Sequence, residues 1–85
     1  MAALFRFPAN KRAKDATLNE QVAKVREEAV EVYRACMDWD DEAVLIEAWD
    51  VIYAAEGVLR KYPKDMAERA FEAVKLKAKE RGDIK

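Results

Sequence analysis

Eighty-five residues make one small domain, and a chain this short buries only about 60–65% of the surface it exposes when unfolded. Hydrophobic residues form 52% of it with only two glycines and two prolines, which excludes a disordered chain; a net charge of −1 excludes an overall field that would draw it to a nucleic-acid polymer or a membrane. With no histidine and a lone Cys36, Glu-x-x-His di-iron sites, His-containing zinc sites, Ser-His or Cys-His nucleophile pairs and an internal disulfide are excluded too, leaving carboxylates as the chemistry.

The first sixteen residues, MAALFRFPANKRAKDA, contain Pro8 and Asn10 and show no sustained periodicity, so they read as an irregular arm over 1–16 anchored by Phe5 and Phe7. Thr17 with Glu20 three residues on fits a capping box, after which Val22, Val25, Ala29, Val32 and Cys36 recur at helical spacing and predict a helix over 18–37. Asp38, Asp40, Asp41 and Glu42 supply turn and N-cap chemistry for a second helix over 41–61. Pro63 and Asp65 mark the next boundary, and Met66, Ala70, Phe71, Val74 and Ala78 give an amphipathic stripe for a third helix over 64–81, with Gly82 as its C-terminal cap. These elements predict an all-α domain covering 1–85: three helices plus an arm. The apolar surplus fits half of a larger bundle, so the protomers are expected to pair into a four-helix-bundle-type dimer or higher oligomer. No secretory signal or apolar run of about 20 residues is visible, so a cytoplasmic protein is expected.

Charge is unevenly spread. Residues 1–14 carry Arg6, Lys11, Arg12 and Lys14 without an acid, whereas residues 26–56 carry ten acids against Arg26 and Arg34. Two acidic pairs, Glu28 with Glu31 and Glu47 with Asp50, each have a spacing of three, which sets both carboxylates on one side of a helix about 60° apart. A glutamate pair alone reads as a solvated face. The second pair lies in AVLIEAWDVIYAAEGVL, apolar around its whole circumference and therefore expected to be buried, where isolated ionised carboxylates cost several kcal/mol. If both rows face each other, three or four carboxylates converge, and a divalent cation relieves their repulsion. Hard oxygen ligands suit Mg²⁺ or Mn²⁺, which suit phosphate chemistry. Glu56, about 180° round from Glu47, reads as a solvated or interface residue. Trp39, Trp49, Tyr33 and Tyr53 read as core or interface aromatics.

Glu27-Glu28-x-x-Glu31, fifteen residues, then Glu47-x-x-Asp50 resembles the EExxE and ExxD signature of the MazG-like all-α nucleoside triphosphate pyrophosphohydrolases. The stretch DVIYAAEGVLRKY is similar to the rest of that family's second helix, and KAKERG, Lys77 to Gly82, resembles its K-N-x-x-R-G ending. The resemblance covers roughly residues 18–83. It implies an oligomeric, Mg²⁺-dependent enzyme, with Mn²⁺ a possible substitute, that cleaves nucleoside triphosphates between the α and β phosphates. By the same resemblance Glu28, Glu31, Glu47 and Asp50 are metal ligands, Glu27 orients water or supports a ligand, and Lys77 and Arg81 contact phosphate. Ala78 departs from the family's asparagine. Two alternatives stand beside this one. A catalytically silent helical interaction module would use the apolar faces for partners. Phosphoribosyl-ATP pyrophosphohydrolase belongs to the same superfamily, but Tyr53-Ala54 lacks the histidine of the EaADLLYH pattern often seen in its second helix.

Overall fold

The structure, a computed structural model, describes residues 3–84. Among them the chain is all-helical: α1 spans Lys11–Asp15, α2 Leu18–Met37, α3 Asp41–Leu59 and α4 Lys64–Glu80. The three long helices fall where periodicity and caps predict them, with α3 ending at Leu59 rather than 61 and α4 at Glu80 rather than 81.

Local chemistry explains the boundaries. The Thr17 side chain accepts the Glu20 backbone N–H while Glu20 accepts that of Thr17, completing the capping box that starts α2. Asp40 caps α3 through the Ala43 N–H. Between these helices the chain closes with N–H groups of Trp39 and Asp40 on the carbonyls of Cys36 and Ala35, a Schellman turn that puts Trp39 at φ 58° where glycine is usual. Gly82, at φ 80°, makes the same turn after α4.

The short link makes α2 and α3 an antiparallel hairpin, in which the Gln21 side-chain amide donates to the Ala54 carbonyl at 2.9 Å near one end. Close packing there depends on Gly57. A Cβ at this position would stand 2.5 Å from Gln21 Nε2 and 3.0 Å from Ala13 Cβ.

The segment expected to be irregular contains a helix. Asn10 accepts the Ala13 N–H and starts α1, and Lys61 Nζ on α3's trailing turn donates to the carbonyls of Ala13 and Ala16 at its end. Glu56 also departs from expectation. Instead of standing in solvent or at an interface, it is buried and accepts backbone N–H groups of Arg6 at 2.8 Å and Phe7 at 3.0 Å, with Arg60 3.8 Å away. Arg60 lies 4.0 Å from the Phe5 ring centroid, and the Phe7 ring packs edge-on against Trp49 and Tyr53. Buried charge and aromatic packing thus strap the arm along α3.

The hydrophobic core is small and built of alanines: Ala13, Ala35, Ala54 and Ala67 are its buried apolar residues. Large apolar side chains on all three long helices stay exposed, among them Val30, Leu45, Ile46, Phe71 and Val74. Among the described residues no helix is long and apolar enough to cross a membrane.

Candidate functional site

The hairpin register sets the chemistry. Gln21 meets Ala54 near one end, so one to two turns further along α2 the carboxylate row beginning at Glu28 meets the α3 turn that carries Glu47 and Asp50. Carboxylate oxygens of Glu28, Glu47 and Asp50 all lie within 4.8 Å of one another, and the three residues are half-buried. Removal from water raises the Glu47 pKa, reinforced by the charges of Asp50, Glu28 and Glu31 and by a hydrogen bond with Glu28. Lys24, one turn before Glu28, provides local compensation: its ammonium stands 3.0 Å from Glu28 Oε1 and 3.7 Å from Glu27 Oε2, and the Glu28 interaction raises the lysine pKa.

The remaining candidates stand apart from that trio. Glu31 is near enough to act on Glu47 through its charge, but its Oε1 accepts a hydrogen bond from Arg34 Nη1 at 2.9 Å. Glu27 points to the rim, its side chain 69% exposed. An open groove of about 460 Å³ runs past Glu27, Glu28 and Glu31, bordered by Lys24, Arg26 and Arg34. Lys77 and Arg81 lie on or just after α4, exposed; Arg81 pairs with Asp83 at 3.2 Å, and among the described residues neither cation bonds to the carboxylates. α4 packs little on the hairpin, which leaves those two cations on a separate arm of the molecule.

Sequence reasoning missed Lys24, Gln21 and Glu56. The Lys24–Glu28 spacing of four was the available signal for the first. No local pattern marks Gln21 or Glu56, because their partners lie 33 to 50 residues away.

Three carboxylates with converging oxygens, the pKa of one of them raised by removal from water and by the charges beside it, make a donor set suited to a hard divalent cation. The residues present fit such an ion. Residues 4–76 match the family model described as phosphoribosyl-ATP pyrophosphohydrolase. Neither the curated proteins nor the solved structures include a match to the chain.

Proposed function

The chain belongs to the phosphoribosyl-ATP pyrophosphohydrolase family, within the all-α nucleoside triphosphate pyrophosphatase superfamily that also holds MazG, and from that premise we propose a Mg²⁺-dependent enzyme that hydrolyses the α–β phosphoanhydride of nucleoside triphosphates. The family is one of pyrophosphohydrolases acting on a nucleotide, and enzymes of this superfamily usually need a divalent metal. The observation that carries the proposal is the convergence of Glu28, Glu47 and Asp50 from two helices. A silent interaction module has no use for three half-buried acids held against their own repulsion.

In this mechanism Glu28, Glu47 and Asp50 would hold the ion, with Glu31 a further ligand were it to turn from Arg34. The ion, Mg²⁺ or Mn²⁺, supplies charge neutralisation of phosphate oxygens and a lowered pKa for water. The chain's residues do the positioning that phosphoryl transfer chiefly requires. Water bonds to the α phosphorus, the bond from that phosphorus to the bridging oxygen breaks, and pyrophosphate departs with the bridging oxygen. Glu27, at the rim, orients the water and takes its proton. Lys77 and Arg81 contact phosphate oxygens across an assembly of two or more protomers, in which the exposed apolar faces of α2, α3 and α4 meet.

The family match favours a second reading of the substrate, phosphoribosyl-ATP, which is cut at the same bond. The assay that tests both is pyrophosphate release with Mg²⁺ from ribo- and deoxynucleoside triphosphates and phosphoribosyl-ATP. Monophosphate and pyrophosphate in equal amounts support the proposal, turnover of phosphoribosyl-ATP alone selects the second reading, and no turnover leaves the interaction module.

A further inference from the structure

A second cavity, of about 270 Å³, opens between α1, α2 and α3 one turn from the carboxylates. Ala13, Tyr53 and Ala54 line it together with the polar residues Asn10, Arg12, Gln21 and Lys24. Lys24 is the residue it shares with the groove along Glu27, Glu28 and Glu31. Two cations and no acid line it. Lys24 belongs to both places: its Nζ is 3.0 Å from Glu28 Oε1, and the residue lines the cavity. The Arg12 guanidinium, on a residue that also lines the cavity, has no ion pair or hydrogen bond among the described residues, although the chain is rich in acids. An arginine fork without a carboxylate, beside a lysine already at the reaction centre, matches a phosphate group.

We propose that this cavity is the subsite for the departing pyrophosphate, with Arg12 and Lys24 binding its phosphate oxygens. The inference rests on the reading of Glu28, Glu47 and Asp50 as the place of phosphoanhydride hydrolysis. One helical turn, about 5.4 Å, separates the Lys24 level of α2 from the Glu28 level, a step that suits the phosphates beyond the one attacked. Negative charge collects on the leaving group as the bond breaks, so cations fixed at its destination act where charge develops. Pyrophosphate would also take the place of Glu28 as the partner of the Lys24 ammonium if Glu28 served a metal ion. The arm strapped by Glu56 has a task in this arrangement: it carries Asn10 and Arg12 to the cavity.

The test is calorimetric titration of inorganic pyrophosphate into the full chain with saturating Mg²⁺, for wild type, Arg12→Gln, Lys24→Gln and Lys64→Gln. Loss of one charge-assisted hydrogen bond should weaken binding about tenfold in each of the first two variants. Lys64→Gln, which removes an exposed cation on α4, should bind like wild type, and AMP binding should be unchanged throughout. Unchanged pyrophosphate binding in folded Arg12→Gln, checked by circular dichroism, overturns the proposal. So does a loss of AMP binding in its place, which would give the cavity to the nucleoside, or an absence of pyrophosphate binding in wild type. Failure of the underlying reading shows separately, as wild type that binds pyrophosphate through Arg12 yet releases none from any triphosphate.

Discussion

Glu47 holds its carboxyl against the charges of Asp50, Glu28 and Glu31, in partial shelter from water, and its pKa is raised as a result. Raising an acid's pKa on folding means the folded state prefers the protonated form. The stability linked to Glu47 is therefore fully present below the unfolded value of 4.5 and is lost as pH rises through the raised folded pKa. Glu47→Gln keeps the shape without the charge, so at neutral pH and without divalent metal it should melt at a higher temperature than wild type. The two transitions should coincide at a pH below 4.5. Saturating Mg²⁺ should raise the wild-type transition more than the variant's. Equal metal-free transitions at neutral pH would contradict the repulsion. The pairing of Glu47 with Asp50 was legible from a spacing of three, since helical geometry alone aligns them. Glu28 rather than Glu31 meets them because of the register between α2 and α3, which is not written locally in the sequence, and because of the Arg34 hydrogen bond, whose spacing of three is.

α1 is five residues long, too short to persist on its own, and the groups that hold it and the arm sit on α3 and the turn that follows it. The Glu56 side chain is only 7% exposed and serves two backbone N–H groups and Arg60 at once. Removing it strands a half-buried guanidinium and two amides, so Glu56→Ala should cost about 3 kcal/mol of stability. It should also release the arm, with amide exchange at Arg6 and Phe7 rising toward unprotected rates; retained protection in the variant would contradict the strap. The same arrangement explains what could be read in advance. α2 and α4 announce themselves by apolar periodicity over four or five turns and by the residues at their ends, and α3 by the acidic cap at its start and a long apolar run. α1 spans barely more than one turn, so its sequence carries no period, and Asn10, which caps it, read as a mark of irregular chain. Glu56 was misjudged because its angle from Glu47 is fixed by the helix, whereas its burial is conferred by a segment about 50 residues away.

A protomer of 9.8 kDa with alanines for a core leaves most of its large apolar side chains uncovered, Leu45 at 65%, Met37 at 63% and Val74 at 58% exposed. Leucines, isoleucines and valines left in water each forgo about 1.5–3 kcal/mol of burial, and faces of this kind ordinarily meet another surface. Sedimentation equilibrium should therefore return at least twice the protomer mass, and a monomer at micromolar concentration would contradict the assembly proposed for the site. The composition made the apolar surplus legible; which faces join, and in what number, depends on matching surfaces that a single chain does not encode locally. At this scale too the acids remain central, since every proposed role of the arm, the cations and the assembly is referred to them. The most direct measurement is pyrophosphate release with saturating Mg²⁺ by wild type and Asp50→Asn side by side. Loss of a ligand carboxylate should lower turnover by more than about 100-fold while the helical content stays; a variant that turns over like wild type would contradict the metal centre.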